Sequence, residues 1–328
     1  MTAPRQTQSY LRELFARRGI APRHRYGQNF LIDLNLHDVI AQRARIRPGD
    51  LILEIGPGAG ALTAMMAEMG GTVVAVDIDP GMVGLTTDAT AQYPGVRVIL
   101  ADVLKGKNKI SPEVLDSLRS AVSAMPDRPF KLVANLPYNV ATPVVSNLLV
   151  HPEFDIDLMV VTIQLELAQR MQAAPHTEHY SALSVTIQAQ ADVEIVRTLP
   201  PSVFWPRPKV ESAIVAITPN KARREAIGDL PWFHSVVRKI FLHRRKNLRR
   251  VLYSLWRDRW EKSEVDALLE SIGLTGEIRA ESMNVEEFVA LAEALKVRLK
   301  PEVAATTDAE DEDEEEEEDP EASEPDIE

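Results

Sequence analysis

Continuous apolar runs, separated by segments with helical spacing, mark the first half of the chain. Five such runs are LILEIG (51–56), GTVVAVDID (71–79), VRVILADV (96–103), KLVANLPYN (131–139) and LMVVTIQLE (158–166). Runs that are apolar throughout, rather than alternating, are typical of strands covered on both faces. Helical patterns between the strands occupy 36–44, 59–69 and 142–149. This order predicts an α/β fold with a doubly wound, Rossmann-like parallel sheet, whose ligands bind at the carboxyl ends of the strands.

The β pattern stops near residue 221, and the later apolar positions recur at helical spacing. We expect a small all-α region from the segments WFHSVVRKIFLHRRKNLRRVLYSLW, SEVDALLESIG and NVEEFVALAEALKVRL. A short amphipathic helix is also expected around 10–18, before the sheet. The predicted organisation is a basic N-terminal arm (1–25), a Rossmann-like domain (26–220) with a charged insert at 104–129, a helical C-terminal domain (221–300) and an acidic tail (301–328).

Composition narrows the chemistry that this chain can perform. Its 328 residues, 45% of them apolar, are enough for a large core. The absence of cysteine excludes disulfides, cysteine zinc sites and thiol nucleophiles, and it fits a reducing compartment. The first residues lack the apolar core of a secretory signal, and no stretch approaches about 18 uninterrupted apolar residues. We therefore predict a cytoplasmic protein without a membrane segment.

The net charge of −12 comes from the end of the chain. Fifteen of the 49 acidic residues lie at 308–328, which leaves 34 acidic against 37 basic residues in the remainder. Such an acidic run repels itself and buries no apolar surface, so we expect it to be disordered. Two roles stay open for it: a solubilising tail, or a nucleic-acid mimic that competes for the protein's own basic surface.

Three glycines follow the first strand directly. Gly56, Gly58 and Gly60 lie before a predicted helix in EIGPGAGALT, which also fits the dinucleotide motif G-x-G-x-x-A. Asp77 ends the second strand, 21 residues after Gly56, where a carboxylate holds ribose hydroxyls in either kind of site. Asp102 ends the third strand and can accept a hydrogen bond from an adenine amino group. The loop and the two acids, in this order, resemble the cofactor site of S-adenosylmethionine-dependent methyltransferases.

A wider resemblance rests on nine segments in order: HRYGQNFL, EIGPGAGALT, VDID, ADV, NLPYNVATP, QLELAQRM, HYSALSV, VFWPRPKVESA and FLHRRKNLRR. On these the chain resembles the KsgA-type rRNA adenine N6,N6-dimethyltransferases over roughly residues 20–300. The resemblance implies S-adenosylmethionine as methyl donor, no metal, and a monomer. It assigns the cofactor contacts to Gln28, Asn29, Leu31, Gly56, Gly58, Asp77, Asp102 and Asn135. Two positions depart from the family pattern: its Q-K-E reads Q-L-E at 164–166, and Asp77 stands where many relatives have Glu.

The NLPY segment, 135–138, carries the predicted catalysis although it has no acid, histidine or cysteine. An exocyclic adenine amine is a poor nucleophile because its lone pair is delocalised into the ring. The Asn135 side-chain carbonyl and the Leu136 backbone carbonyl can accept its N–H groups and orient the lone pair, while Pro137 stiffens the loop. Tyr138 offers a face on which the extruded base stacks. The resemblance further implies that Phe204 sandwiches the adenine opposite Tyr138, although Phe204 or Trp205 could equally be a core residue.

A dense basic run predicts where RNA binds. Residues 238–250, RKIFLHRRKNLRR, contain seven Lys or Arg. On one continuous helix, Arg238, Arg245 and Arg249 share a side, while Ile240, Phe241, Leu248 and Val251 pack inward. The predicted RNA-binding residues are Arg238, Arg244, Arg245, Lys246 and Arg249, which makes 221–300 an RNA-binding domain. A merely solvated face is the alternative.

The leading hypothesis is an enzyme that dimethylates two adjacent adenosines near the 3′ end of small-subunit (16S) rRNA. Its partner is then that rRNA, within a partly assembled 30S subunit, and a role in subunit biogenesis follows. Three alternatives stay open. They are a large-subunit rRNA methyltransferase of the macrolide-resistance type, a non-catalytic ribosome-assembly or transcription factor on the same fold, and a dinucleotide oxidoreductase. Intact NLPY, Asp77 and Asp102 favour retained methyl transfer over a binding role alone.

Overall fold

The computed structural model describes residues 6–106 and 109–299. The predicted acidic tail lies outside the described residues, as do the first five residues of the predicted arm. The helices are α1 Gln8–Arg18, α2 Leu34–Arg43, α3 Ala61–Glu68, α4 Pro80–Thr90, α5 Pro112–Ala124, α6 Ala141–Val150, α7 Leu165–Gln172, α8 Ala182–Gln188, α9 Lys221–Ile227, α10 Leu230–Phe241, α11 Leu248–Leu255, α12 Lys262–Ser271 and α13 Val285–Leu299. The strands are β1 Phe30–Leu31, β2 Leu51–Ile55, β3 Thr72–Asp77, β4 Val96–Leu100, β5 Leu104–Lys105, β6 Lys109–Ile110, β7 Phe130–Asn135, β8 Ile156–Gln164, β9 Ala191–Leu199, β10 Phe204–Trp205 and β11 Ser212–Pro219.

A seven-stranded sheet in the order β4-β3-β2-β7-β8-β11-β9 forms the centre of the fold. Its five predicted strands pair in parallel, which confirms the doubly wound α/β prediction. Two further strands extend the sheet at one edge, where β11 runs antiparallel to both β8 and β9. Sequence analysis missed these last two strands. β9 is half-exposed along its length, so it has no continuous apolar run.

Apolar side chains cover both faces of the sheet because successive strand residues point to opposite sides. In β2, for example, Leu51, Leu53 and Ile55 belong to one core cluster and Ile52 to the other. Helices α5 and α6 contribute to the first cluster, and α2 and α3 to the second. The expected insert at 104–129 is thus largely part of the fold, because α5 lies in the crossover between β4 and β7.

Helix α1 confirms the helix expected around 10–18, and it packs beside the glycine loop. Leu11 and Phe15 are buried in a cluster with Phe30, Met82 and other residues. The Gln6 side chain donates a hydrogen bond to the Ala59 carbonyl within the loop, at 2.8 Å. The first part of the chain therefore covers one side of the loop.

The C-terminal helices α9 to α13 enclose a separate apolar core, which confirms the all-α prediction. Tyr180, before α8, joins this core and donates a hydrogen bond from its hydroxyl to the Met283 carbonyl at 2.7 Å. No helix of the described ranges is long and apolar enough to cross a membrane.

The prediction of one continuous helix through the basic run was wrong. Helix α10 ends at Phe241 and α11 begins at Leu248. The backbone N–H of Leu248 donates to the Ile278 carbonyl at 2.8 Å, and that of Arg249 donates to Gly276 at 3.1 Å. These long-range bonds replace the helical bonds that a continuous helix would make. The apolar positions of the run still face inward, with Ile240, Leu248 and Val251 buried and Phe241 partly so.

Candidate cofactor and adenine site

A cavity of about 490 Å³ lies at the carboxyl ends of β2, β3 and β7, beside the segment that follows β4. This is the position in which doubly wound sheets bind their ligands. All eight predicted cofactor residues line the cavity, as do the residues of the NLPY segment. They are Gln28, Asn29, Leu31, Gly56, Gly58, Asp77, Asp102, Asn135, Leu136, Pro137 and Tyr138. The cavity thus brings the predicted cofactor and catalytic residues together, with the exception of Phe204. No group of three or more metal-ligating side chains occurs within 6–106 and 109–299.

The glycine loop needs its glycines because the NLPY segment (135–138) and the QNFL segment (28–31) both approach it closely. Gly56 and Gly58 have φ angles of +71° and +61°. A Cβ on Gly56 would lie 3.0 Å from the Pro137 ring, and a Cβ on Gly58 would lie 3.0 Å from the Phe30 ring. The loop is therefore fitted between the NLPY segment and the QNFL segment.

Asp77 lies at the end of β3 with 8% of its surface exposed. Its carboxylate accepts the backbone N–H of Asp79 at 2.9 Å, and the backbone of Gly58 and Ile78 lies close enough to stabilise its charge. Burial nevertheless raises the pKa of Asp77 to about 6. At neutral pH the group is an ionised, poorly solvated acceptor at the cavity wall, as a ribose diol requires.

Asp102 follows β4 and is exposed. One of its carboxylate oxygens accepts the backbone N–H of Leu104 at 2.9 Å, which fixes the side chain at the turn. The second oxygen makes no bond within the part of the chain that the structure describes. It therefore remains an acceptor for an amino group in the cavity.

The Asn135 amide has a defined orientation. Its Nδ2 donates to the Asn29 carbonyl at 2.8 Å, and a carbonyl can only accept, so the amide oxygen must be the other side-chain atom. That oxygen is left without a protein donor among the described hydrogen bonds. Leu136 follows with a buried side chain, and its N–H donates to the Thr162 carbonyl at 3.2 Å. The Asn135 side-chain oxygen and the Leu136 carbonyl are thus two acceptors at the start of one rigid loop.

Tyr138 is half-buried and anchored at its far end. Its hydroxyl lies 2.7 Å from the Ser212 hydroxyl, and Ser212 is fully buried at the start of β11. Burial raises the pKa of Tyr138, so the phenol is neutral at physiological pH. The ring is therefore a fixed, uncharged surface on the wall of the cavity.

Phe204 lies apart from the cavity lining. Phe204 is only 3% exposed and belongs to the core cluster that includes α2 and α3. Its backbone pairs with that of Leu31 where β10 meets β1. The neighbouring Trp205 is more exposed and lies against the rings of Phe15 and Phe30. Stacking of an adenine on Phe204 stays a prediction, which requires its ring to become accessible.

Two buried ionisable residues of the cavity lining were missed by sequence analysis. Glu54 is 2% exposed, and its carboxyl accepts a hydrogen bond from the Thr63 hydroxyl at 2.6 Å. Burial raises the pKa of Glu54 to about 8, so this carboxyl is mostly protonated at neutral pH. Its place directly before the glycine loop, in EIGPG, was a visible signal. His37 on α2 also lines the cavity, and nothing in its sequence context distinguished it.

The predicted RNA-binding residues are exposed but fall on three elements. Arg244, Arg245 and Lys246 lie in the turn between α10 and α11, which we call the basic turn (242–247). Arg238 lies on α10, and Arg249 on α11 forms an ion pair with Asp266. Among the described residues, Arg244, Arg245 and Lys246 of the basic turn form no ion pair, whereas Arg249 does.

The chain resembles known proteins along most of its length. The family model described as ribosomal RNA adenine dimethylase matches residues 20–296. The "Ribosomal RNA small subunit methyltransferase A" of Moorella thermoacetica is 35% identical over 296 residues, which cover 90% of this chain and 99% of that protein.

Two solved structures share the fold. A dimethyladenosine transferase from Plasmodium falciparum superposes with a TM-score of 0.68 at 21% identity, covering 81% of this chain and 97% of its own. The 23S rRNA methyltransferase ErmE superposes with a TM-score of 0.56 at 26% identity, covering 82% of this chain and all of its own. The chain therefore shares its overall fold with both of these enzymes.

Proposed function

The chain belongs to the ribosomal RNA adenine dimethylase family, and on this premise we propose that it dimethylates the N6 amines of two adjacent adenosines near the 3′ end of small-subunit rRNA. The observation that carries the proposal is the Asn135 amide, whose oxygen is oriented by the bond from its Nδ2 to Asn29 at the edge of the cavity. The name of the Moorella thermoacetica relative supports the small subunit as the source of the RNA.

The residues of the cavity fit S-adenosylmethionine, which supplies an electrophilic methyl group when bound. Asp77 would accept hydrogen bonds from the ribose hydroxyls, and Asp102 would accept one from the adenine amino group of the cofactor. Gly56 and Gly58 allow the loop to approach because neither carries a side chain. Gln28 is fixed in place by a hydrogen bond from its Nε2 to Asp79, at 3.2 Å.

Catalysis by this chain consists mainly of orienting the target amine. In the first transfer, the Asn135 oxygen and the Leu136 carbonyl would accept its two N–H groups, which favours a pyramidal nitrogen with its lone pair available to the methyl donor. The Tyr138 ring, whose hydroxyl is hydrogen-bonded to that of Ser212, would stack on the extruded base. Methyl transfer leaves the amine nitrogen positively charged, and this cation is acidic enough to lose its proton to water, so no side chain needs to act as a base.

The basic turn is proposed to bind the RNA backbone outside the cavity. Phosphate contacts release counterions, so each one that is lost weakens affinity and flattens its dependence on salt. We expect Arg245→Glu together with Lys246→Glu to weaken binding of small-subunit rRNA at least tenfold in about 0.1 M salt. The slope of log affinity against log salt is expected to fall by about two, since two phosphate contacts are removed. Filter binding or fluorescence anisotropy across a salt series measures both.

A matched control is Arg97→Glu, which reverses an exposed charge on β4 at the far edge of the sheet. This variant is expected to bind RNA with nearly the wild-type salt slope. Arg249 is avoided because a glutamate there would face Asp266. If the basic-turn variant and the control behave alike, the turn is only a solvated face.

The function itself is tested on rRNA from cells that lack this protein. We expect mass spectrometry of the 3′ region of the small-subunit rRNA to show two unmodified adenosines in place of N6,N6-dimethyladenosine. Expression of the wild-type chain is expected to restore both modifications, and expression of Asn135→Ala is not. The proposal would be contradicted if expression of the wild-type chain restored a modification of large-subunit rRNA and left the small-subunit adenosines unmodified.

A further inference from the structure

His37 is a buried residue of the cavity wall that the reaction above does not use. It lies on α2 with 5% of its surface exposed and lines the cavity together with Leu31, Ala61 and Leu62. Its Nδ1 is fully enclosed and has no hydrogen-bond partner among the described residues. Burying a polar atom without a hydrogen-bond partner destabilises the folded state, and native proteins rarely do so.

The ring of His37 is neutral near pH 7. Burial lowers the pKa of His37 to about 4, although the nearby carboxylates of Asp33 and Asp38 act in the opposite direction. A neutral imidazole carries one N–H, on either Nδ1 or Nε2. Unpaired N–H groups are rarer in protein interiors than unpaired acceptors, so the enclosed Nδ1 is the nitrogen with the lone pair. The proton is then on Nε2.

The Nε2–H group is a donor that the protein leaves unused. It makes no hydrogen bond with residues 6–106 or 109–299, and unlike Nδ1 it is not fully enclosed. Because the side chain is almost entirely buried and lies on the cavity wall, the remaining access of Nε2 is to the cavity. A ligand acceptor there would satisfy it.

The position of His37 tells which part of a ligand it meets. The strand order β4-β3-β2 places Asp102, Asp77 and the glycine loop in succession along the cavity. An adenosine held by the two acids extends its remaining portion past the loop, toward the first turn of α3. Ala61 and Leu62 of that turn line the cavity, as does His37, and their helices α3 and α2 pack against each other.

The first turn of α3 favours a negative group. Its N-cap is Gly60, which has no side chain to accept the first N–H groups of the helix. Unfilled N–H groups and the helix dipole both stabilise an anion at a helix start. A carboxylate is therefore the acceptor that this end of the cavity suits, with His37 as a second, neutral donor.

We propose that the Nε2–H of His37 donates a hydrogen bond to the carboxylate of the amino-acid portion of the cofactor, and so selects ligands with an intact amino-acid end. This inference rests on the proposed function, because it takes S-adenosylmethionine as the ligand. It adds a specificity-determining residue that lies outside the glycine loop and the strand ends.

The test compares two ligands that differ at that end only. S-adenosylhomocysteine has the amino-acid portion, and 5′-methylthioadenosine replaces it with a methyl group. We expect His37→Phe to weaken S-adenosylhomocysteine about tenfold in isothermal titration calorimetry, as the loss of one hydrogen bond to a charged acceptor implies. Binding of 5′-methylthioadenosine is expected to change less than twofold.

Two further variants identify the nitrogen. The side-chain amide nitrogen of glutamine reaches about as far as Nε2 of histidine, whereas that of asparagine reaches only as far as Nδ1. His37→Gln is therefore expected to keep S-adenosylhomocysteine affinity within about threefold of the wild type, and His37→Asn to lose as much as His37→Phe. This comparison remains decisive if the phenylalanine variant does not fold.

Two outcomes overturn the proposal. One is equal weakening of both ligands by His37→Phe, which indicates a general disturbance of the cavity. The other is unchanged S-adenosylhomocysteine affinity in His37→Phe or His37→Asn. Failure of the proposed function looks different, because the wild-type chain itself would then not bind S-adenosylhomocysteine or not methylate small-subunit rRNA.

Discussion

Replacing Asn135 with alanine is expected to lower the turnover number for methyl transfer to small-subunit rRNA by about 10²–10³. Removing one preorganised hydrogen-bonding group at a reacting centre typically slows turnover by about this factor. The variant loses the side-chain oxygen that orients the amine and also the 2.8 Å bond to the Asn29 carbonyl. Affinity for S-adenosylhomocysteine is expected to fall less than tenfold, because Asp77 and Asp102 remain. Single-turnover methylation and calorimetry measure the two effects separately.

Asn135→Asp separates the two functions of the amide. Aspartate keeps a side-chain oxygen but places a carboxylate against the Asn29 carbonyl, where the amide had donated. Its activity is expected to lie between those of alanine and the wild type. The control Asn35→Ala removes an exposed amide from α2 and is expected to be fully active. Wild-type turnover in Asn135→Ala would remove the NLPY segment from the catalytic role.

Local motifs explain why so much of this site was predictable. The glycine loop, the acids at 77 and 102 and the NLPY segment each lie within a few residues of a strand end, so strand prediction alone placed them at one edge. The contacts that fix their side chains were not predictable, because they join distant residues. Asn135 bonds to a residue 106 positions away, and Tyr138 to one 74 positions away.

The wrong and missing predictions have the same cause. Residues 238–250 have helical spacing throughout, but backbone bonds from 248 and 249 to the segment near Gly276 end the helix. Strand β9 lies at the edge of the sheet and is partly exposed along its length. Backbone pairing with β11 holds it in place, and it has no apolar run that would predict it. His37 occupies an ordinary position of an amphipathic helix, and only the fold shows that it faces a cavity. In each case tertiary contacts override or hide the local pattern.

Asp77→Asn is expected to weaken S-adenosylhomocysteine about 100-fold at pH 7.5. The buried carboxylate is replaced by a neutral amide, so the ribose hydroxyls lose charge-assisted acceptors. Since burial raises the pKa of Asp77 to about 6, wild-type affinity is also expected to decline as the pH falls below about 6. The Asn variant is expected to lack this decline. Calorimetry at pH 5 and pH 7.5 tests both statements.

The same substitution is expected to stabilise the unliganded protein. The folded-state pKa of about 6 exceeds the usual value of 3.8, so the folded state binds more protons than the unfolded state between those values. The contribution of Asp77 to stability therefore rises as the pH falls through 6 and is unfavourable above it. Asp77→Asn removes that unfavourable term, which predicts a gain of about 2 kcal/mol in the free energy of unfolding at pH 7.5.

Urea unfolding of the unliganded wild type and Asp77→Asn measures this gain. It is expected to be largest at pH 7.5 and to shrink at pH 4.5, where the wild-type carboxyl is protonated in the folded state. Glu54 also titrates, but it is present in both proteins, so its contribution largely cancels in the difference. A gain that does not depend on pH would mean that desolvation of the Asp77 charge is not its cause. A variant that is both less stable and still able to bind S-adenosylhomocysteine would instead show that Asp77 supports the fold rather than the cofactor.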